Sequence, residues 1–375
     1  MSTILIDNDF NVSHSEPKAK NPNFHNTPNS QILRSPRRPQ NDKEKDILIK
    51  KSTQTLRIGL FGLGVVGSGV WRMLKAKRDE FYDRFGIDVE IEGICVRDPL
   101  KERDPDLPRD IVRADPNELL YDDSIDVIIE LIGGRYEALD VIERALRSRK
   151  HVITANKLVL AHELPRLCNL ADRSGVNLFY SASVCGSVPV LHALDDLRIG
   201  DRITSIQGIV NGSTNFILTS MTNYGLTYEQ ALAEARSKGF LEADPMLDVS
   251  GADAAQKLSV LIYHAFGKHV TPEQIETAGI ESITAEDVGR ESKNGNVIKL
   301  IASASLDDFG RLRASVGPKA LPRSHVFATT SDEFNALEII ARHAGPQILH
   351  GKGAGSFPTA SAVISDVVEL LREQY

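Results

Sequence analysis

An acid-rich segment, GFLEADPMLDVSGADAAQKL (Gly239 to Leu258), carries the side chains best suited to chemistry in this sequence. Within it, Asp253 and Lys257 are spaced i,i+4 in a stretch with helical apolar spacing, so both project from one helix face. Lysine and carboxylate groups both carry acid–base catalysis. The same pair is also typical of a surface salt bridge, and Asp253 could instead complete a capping box from Ser250. The spacing leaves both interpretations open.

A further lysine follows a predicted strand. Lys157 ends the sequence HVITANK, just beyond the strand His151–Thr154. The ligand crevice of an open α/β sheet opens at the carboxyl ends of its strands, so Lys157 is predicted to lie there. For a lysine to act near neutral pH, burial or a neighbouring cation should lower its pKa toward the working range.

A glycine-rich turn comes directly after the first apolar run and consists of Gly62, Leu63, Gly64, Val65, Val66 and Gly67. Glycines are needed in such a GxGxxG turn because it is tight, its backbone approaches a pyrophosphate, and its helix packs close to the strand. The helix start then offers free N–H groups to the phosphates. Because a strand precedes the motif and a helix follows it, the motif predicts a dinucleotide site rather than an ordinary turn.

The end of the second predicted strand bears on the choice of cofactor. It reads Val96-Arg97-Asp98, with Lys101 nearby. An acid at this position would hold the ribose 2′-hydroxyl of NAD, whereas an arginine accommodates the 2′-phosphate of NADP. Arg97 therefore favours NADP, with NAD tolerated. The alternative is a solvated charged loop.

The composition favours small-molecule chemistry. A chain of 375 residues that is 41% hydrophobic and 25% charged can bury two cores. Its formal charge of −7 is spread along the sequence and gives no indication of a nucleic-acid or membrane-surface partner. The 3 cysteines lack C-x-x-C spacing, and no apolar run approaches the roughly 20 residues that span a bilayer. These features predict a cytoplasmic protein.

Three regions differ in their sequence pattern. Residues 1–53, rich in Asn, Ser, Pro and charge, predict a disordered tail. Residues 54–188 alternate short apolar runs with amphipathic stretches, which is typical of βαβ units and a parallel sheet, and form the predicted Rossmann domain. Its later strands are predicted at Val89–Val96, Asp126–Ile132, His151–Thr154 and Asn177–Ser181, with helices at Arg135–Arg149 and His162–Ser174.

The remainder, residues 189–355, predicts an α+β domain with a mixed sheet. Its predicted elements are the strand ITSIQGIVN, a helix over Thr227–Lys238 with a capping box from Thr227 to Gln230, and strands at Val297–Ala304 and Leu312–Val316. Residues 356–375 predict a final helix.

Several separate stretches together resemble homoserine dehydrogenases: GLGVVGSGV, IIELIGG, HVITANK, NGSTNFIL, the acid-rich segment, GNVIKLIA and GKGAGSFPTASAV. The resemblance covers Leu56 to Leu371. It implies an NAD(P)-binding Rossmann domain, a mixed α/β domain that binds substrate and forms a homodimer, and a last helix that returns to the first domain. The implied reaction is the reversible reduction of L-aspartate 4-semialdehyde to L-homoserine, toward threonine, methionine and isoleucine.

The resemblance also implies roles for the acids and lysines. Lys257 would donate and accept the proton, and Lys157 would be a second catalytic lysine that touches nicotinamide and substrate. Glu242 and Asp253 would bind the amino-acid end of the substrate or the water on its reacting oxygen. Gly239 would add a backbone contact.

Other positions are implied on the cofactor side. Gly133 of IIELIGG and Gly353 of GKGAG would lie beside the cofactor. NGSTNFIL (Asn211–Leu218) is predicted to start a helix with Ser or Thr at its cap, and its backbone would shape the substrate pocket. Asp244 and Asp248 stay undecided between turn and site.

One segment departs from the family pattern. The family commonly reads YEASVGGG, where the glutamate and backbone carbonyls hold a monovalent cation, whereas this chain reads YSASVCGSVPV. Ser181 replaces the acid and Cys185 replaces a glycine. The carbonyls of Val184, Gly186 and Val188 could coordinate a cation weakly, but the missing carboxylate argues against a metal.

Two alternative functions remain at this point. The changes at Ser181 and Cys185 are compatible with a diverged paralogue that reduces a related amino-acid semialdehyde. A nucleotide-binding regulator without catalysis is the other, and the joint presence of Lys157, Glu242, Asp253 and Lys257 argues against it.

Overall fold

In the part of the chain that the structure describes, two six-stranded sheets form the framework. The structure, a computed structural model, describes residues 54–241 and 244–374. The predicted tail, residues 1–53, and the predicted substrate ligand Glu242 lie outside the described residues. Within the described ranges, no helix combines the length and the apolar character that a membrane span requires.

The first sheet is parallel throughout, in the order β3-β2-β1-β4-β5-β6. This is the order of dinucleotide-binding folds, whose crevice opens where the order reverses, here between β1 and β4. The predicted Rossmann architecture is therefore confirmed. Its elements are β1 (Gln54–Phe61), α1 (Val65–Phe85), β2 (Ile87–Cys95), β3 (Val112–Arg113), α2 (Asn117–Leu120), β4 (Val127–Glu130), α3 (Tyr136–Arg147), β5 (His151–Thr154), α4 (Lys157–Ser174) and β6 (Leu178–Phe179).

Several predicted boundaries in this half differ from the structure by one or more residues, and two of these differences have a clear local cause. Helix α4 begins at Lys157 rather than at His162, because the side chain of Asn156 caps it by accepting a hydrogen bond from Val159 N at 3.1 Å. Strand β6 stops at Phe179, because the chain turns into a 3₁₀ helix over Ser181–Ser183.

The second sheet is mixed, as predicted, with the order β12-β11-β7-β9-β10-β8. Only its β8–β10 pair is parallel among the described pairings. The elements of this half are α5 (Val190–Gly200), β7 (Ile203–Ile209), α6 (Gly212–Tyr224), α7 (Tyr228–Ser237), α8 (Met246–Val249), α9 (Ala252–Phe266), β8 (Glu276–Thr277), α10 (Ala285–Lys293), β9 (Asn296–Leu306), β10 (Leu312–Pro322), β11 (Phe334–Ala341) and β12 (Gly345–Lys352).

Local capping chemistry explains two helix starts in this half. The predicted capping box of α7 is present, with Gln230 N donating to Thr227 Oγ1 and Thr227 N donating to Gln230 Oε1. For α6 the prediction of a Ser or Thr cap was wrong, since Asn211 is the cap and its Oδ1 accepts from Thr214 N at 2.8 Å. Asparagine caps at least as well as serine.

The last helix, α11 (Ser356–Gln374), returns to the first sheet. Its apolar face, which includes Val363, Val367 and Leu370, joins one buried cluster with residues of β1 and α1. Ser356 Oγ donates a hydrogen bond to Val65 O at 2.7 Å, directly at the glycine-rich turn. A second cluster fills the space between α6, α9 and the second sheet.

Candidate active site

Three of the predicted residues meet in one buried ion cluster. Lys157 Nζ lies 3.2 Å from Asp253 Oδ1, and Lys257 Nζ lies 2.7 Å from Asp253 Oδ2. Lys257 also donates to the carbonyl of Val210 at 2.8 Å. The Asp253 and Lys257 side chains are only 6% and 12% exposed, so the pair is not a surface salt bridge.

Two helices bring this cluster together. Helix α4 starts at Lys157 at the carboxyl end of β5, and α9 presents Asp253 and Lys257 one turn apart. The alternative capping box from Ser250 is absent here, because Gly251 occupies the cap of α9 in a left-handed conformation with φ 82°. The carboxylate of Asp253 is therefore directed to the lysines rather than to its own helix end.

The surroundings of Asp253 strongly favour its ionised form over its protonated form. Burial alone would raise its pKa, but the ammonium groups of Lys257 and Lys157 and the hydrogen bonds from Lys257 and Asn211 outweigh it and lower the pKa well below the usual value. The carboxylate is thus ionised throughout the working range of an enzyme.

The predicted direction of the lysine pKa was wrong for Lys257. Burial lowers its pKa, yet the adjacent Asp253 carboxylate, through its charge and its hydrogen bond, raises it above the usual value of 10.5. A carboxylate at 2.7 Å outweighs burial at this site, so Lys257 is an ammonium at neutral pH.

The side-chain role of Asn211 was not predicted from the sequence. Its Nδ2 donates to Asp248 Oδ1 at 2.6 Å and to Asp253 Oδ2 at 2.7 Å, while its Oδ1 caps α6. An asparagine placed between a strand and a helix was the available signal, because it indicates a cap. Asn211 thereby joins both aspartates to the start of α6.

The two undecided aspartates separate in the structure. Asp244 Oδ1 accepts from Met246 N at 3.0 Å, which is a turn contact at the start of α8. Asp248 lies next to the cluster, and burial together with the negative charge of Asp253 raises its pKa. Gly239 follows α7 in a left-handed conformation with φ 77°.

A cavity of about 840 Å³ lies along the glycine-rich turn. Its lining includes Gly62, Gly64, Arg97, Lys101 and Ile132. It opens beside the point where the strand order reverses, the position at which this fold binds dinucleotides.

The glycines of the turn fit a dinucleotide. A Cβ on Gly62 would lie 2.6 Å from Leu131 O, and one on Gly67 would lie 2.2 Å from Gly62 O, so both positions require glycine. Around Gly64 the space is open within 4 Å, which leaves room for a phosphate. Helix α1 starts at Val65 without a side-chain cap, so its first N–H groups are available to an anion.

The glycine-rich segment around Gly353 packs against the segment Val184–Val188, which departs from the family pattern. A Cβ on Gly186 would lie 2.7 Å from Gly353 O, and one on Gly353 would lie 2.1 Å from Asn335 Cγ. Cys185 is buried with φ 57°, and burial raises the pKa of its thiol to about 11. The segment Val184–Val188 therefore packs tightly against Gly353, which is predicted to lie beside the cofactor.

Ser181, for which the resemblance implies a carboxylate instead, makes two hydrogen bonds. Its Oγ is 3.3 Å from His192 Nε2, and its backbone N donates to Asp366 Oδ2 at 3.0 Å. Among the described residues, no group of three or more His, Cys, Asp or Glu side chains is arranged to hold a metal ion.

Comparison with known proteins gives two family matches. Residues 62–181 match the NAD-binding domain of homoserine dehydrogenase, and residues 189–368 match homoserine dehydrogenase. The homoserine dehydrogenase of Bacillus subtilis (strain 168) is 39% identical over 319 residues, which are 85% of this chain and 73% of that protein.

Solved structures agree with these matches. A homoserine dehydrogenase from Thiobacillus denitrificans is similar with a TM-score of 0.80 and 34% identity, over 85% of this chain and 74% of that one. A hyperthermophilic archaeal homoserine dehydrogenase in complex with NADPH has a TM-score of 0.72 and 26% identity, over 86% and 99% of the two chains. Together with the ion cluster of Lys157, Asp253 and Lys257 and the glycine-rich turn, these matches place the chain in the homoserine dehydrogenase family.

Proposed function

We propose that this protein catalyses the NAD(P)-dependent interconversion of L-homoserine and L-aspartate 4-semialdehyde, with Lys257 as the proton donor and acceptor. The observation that carries the proposal is the Lys157–Asp253–Lys257 cluster, which helix α4 brings to the carboxyl end of β5 in the same sheet that carries the glycine-rich turn. Membership of the homoserine dehydrogenase family gives the substrate.

In aldehyde reduction, the ammonium of Lys257 donates a hydrogen bond to the aldehyde oxygen and transfers its proton as the oxygen becomes an alkoxide. NAD(P)H, when bound, supplies the hydride. The raised pKa of Lys257 keeps it protonated for this direction. In homoserine oxidation Lys257 must first lose its proton, so that direction requires alkaline pH.

The acids divide into two tasks in this proposal. Both oxygens of Asp253 already engage cations or amide protons, from Lys157, Lys257 and Asn211, so Asp253 orients the lysines. We assign the α-ammonium of the substrate to Asp248 and Glu242, with the backbone at Gly239 shaping the pocket. Asp248 is held in place for this task by Asn211.

The domain division and the assembly are further parts of the proposal. Residues 54–188 with 356–375 would form the nucleotide-binding domain, and residues 189–355 the substrate and dimerisation domain. The packing of α11 on α1 supports the first assignment. The homodimer and the cytoplasmic location rest on the family resemblance and on composition.

NADP is the proposed preferred cofactor, because Arg97 and Lys101 line the cavity beyond the end of β2. We expect Arg97→Ala to raise the KM for NADP⁺ roughly tenfold or more, since a hydrogen bond from a charged group to the 2′-phosphate is lost. The KM for NAD⁺ should change less than about twofold. The exposed Arg109 gives a matched control, Arg109→Ala, for which neither constant should change. Equal effects on both nucleotides would contradict the assignment.

Steady-state assays of homoserine oxidation at alkaline pH, with NADP⁺ and with NAD⁺, test the function. We expect homoserine-dependent reduction of the nucleotide, faster with NADP⁺, and unchanged when choline chloride is replaced by NaCl or KCl. The last outcome follows because Ser181 supplies no carboxylate for a cation. A folded protein that reduces neither nucleotide would refute the function, and activation by Na⁺ or K⁺ would refute the interpretation of Ser181.

A further inference from the structure

A buried hydrogen-bond network lies below the crevice and has no part in the reaction derived above. It begins at Glu130, the last residue of β4, whose side chain is 0% exposed. Glu130 Oε1 accepts from Ile132 N at 2.8 Å, and Glu130 Oε2 accepts from Thr154 Oγ1 at 2.6 Å. Burial raises the pKa of Glu130, and these hydrogen bonds oppose that rise. The carboxyl group thus connects the loop after β4 with the end of β5.

The network continues to the start of α4. Thr154 Oγ1 accepts from Asn156 N at 3.0 Å, and Asn156 Nδ2 donates to Gly134 O at 2.7 Å. Asn156 Oδ1 also caps α4 through Val159 N. Two separate connections therefore join the loop after β4 to this turn, one through Thr154 and one through Asn156.

The loop has little stiffness of its own. Gly133 and Gly134 have φ values of 70° and 75°, and glycine populates this region without steric restriction. Leu131 and Ile132, just before them, line the cavity of the glycine-rich turn. Leu131 N donates to Phe61 O of β1, and the rest of this cofactor loop, Leu131–Gly134, is held by its hydrogen bonds to Glu130 and Asn156.

The other end of the network carries a catalytic group. Lys157 follows Asn156 directly, is the first residue of α4, and places Nζ 3.2 Å from Asp253 Oδ1. A shift of the cap or of the β5 end would move the backbone of Lys157 with it.

We propose that Glu130, Thr154 and Asn156 are positioning residues that couple the cofactor loop Leu131–Gly134 to Lys157, so that nucleotide binding and the placement of this lysine depend on each other. The inference rests on the proposed function for the role of Lys157, and on the cavity alone for the binding of nucleotide.

Three variants isolate the two connections. Thr154→Val removes the hydroxyl at nearly constant shape, and Thr154→Ser keeps it. Asn156→Asp retains the capping oxygen but replaces the donor to Gly134 O with an acceptor. Thr222→Val is the matched control, because its hydroxyl bonds to Leu218 O within α6.

Binding of NADPH to the purified protein is measured first, by fluorescence titration without substrate. We expect Thr154→Val and Asn156→Asp each to raise the Kd for NADPH roughly tenfold, because buried partners lose their hydrogen bonds. Thr154→Ser and Thr222→Val should stay within about twofold of the wild type. Thermal unfolding of each variant checks that it is folded. If Thr154→Val does not fold, the NADPH Kd of Asn156→Asp still decides the test.

A double-mutant cycle then tests the coupling to Lys157. Thr154→Val should lower kcat roughly tenfold in the wild type but less than about twofold in Lys157→Met, because it acts through that lysine. Unchanged NADPH affinity in Thr154→Val and Asn156→Asp, or an equal loss of kcat in both backgrounds, would overturn the inference. A wild type that binds NADPH but does not oxidise homoserine would instead refute the proposed function, and the binding arm would still decide whether the loop connections matter.

Discussion

Replacing Lys257 by methionine should lower kcat about a thousandfold while leaving the Kd for NADPH within about twofold of the wild type. The loss is large because the ammonium is the group that protonates the forming alkoxide. Methionine keeps the volume of the buried side chain, and Lys157 still pairs with Asp253, so the fold is retained. Steady-state rates in the direction of aldehyde reduction, with NADPH titration alongside, give both numbers.

A buried lysine elsewhere supplies the control for this experiment. Lys150 is 4% exposed and donates to the carbonyls of Asp122 and Ile125, at the opposite end of β5 from the crevice. Lys150→Met should lower the free energy of unfolding but leave kcat within about twofold. A Lys257→Met protein that keeps more than a tenth of the wild-type kcat would show that another group transfers the proton.

Replacing Asp253 by asparagine should lower the free energy of unfolding at pH 7 by about 3–5 kcal/mol, because it leaves buried Lys257 without its counter-ion. The same variant should lose most activity, since both lysines lose the group that orients them. Urea denaturation from pH 5 to pH 10 measures the first effect.

The pH dependence of that experiment has a defined sign. In the wild type, the lowered pKa of Asp253 adds stability that is present above about pH 4 and lost as the pH falls through the folded-state pKa. The raised pKa of Lys257 adds stability that is present below about pH 10 and lost as the pH rises through its folded-state pKa. The cluster is therefore fully effective between these limits.

In Asp253→Asn the direction of the Lys257 pKa shift reverses, and with it the change of stability with pH. Burial then dominates and lowers the pKa of Lys257, so the unfolded state binds more protons and the variant gains stability as the pH rises from 7 toward 10. Asp366→Asn serves as a control, since burial already raises the pKa of Asp366 to about 7 and no lysine or arginine pairs with it among the described contacts. It should change stability by less than about 1 kcal/mol. An Asp253→Asn protein as stable as the wild type at pH 7 would contradict the buried-pair argument.

Features that depend on neighbouring residues were predictable from the sequence. The strand before Gly62 and the GxGxxG turn predicted the first sheet and its crevice correctly. The turn requires glycine at fixed positions, and this requirement depends only on nearby backbone. The i,i+4 spacing of Asp253 and Lys257 locates the pair because a helix has a fixed period.

Features that depend on distant contacts were not predictable. No local pattern in the sequence shows that Lys157 of α4 reaches Asp253 of α9. Because the geometry of this cluster was unknown, the effect of burial on the pKa of Lys257 was overestimated and that of the Asp253 carboxylate was underestimated. Strands β11 and β12 were both missed, and for β12 the reason is related. Strand β12 contains Gly and Pro and is largely exposed at the sheet edge, so it is defined by pairing with β11 rather than by its own apolar pattern.

The packing of α11 on α1 has a consequence for the order of events during synthesis. Ser356 and Val65, which are hydrogen-bonded in the folded protein, stand 291 positions apart. At about 5–20 residues per second, a ribosome needs roughly 15–60 seconds to add the intervening chain. Throughout that interval the apolar side of β1 and α1 that faces Val363 and Val367 has no covering helix. The nucleotide-binding half, although made first, cannot close its core until nearly all of the second half has emerged.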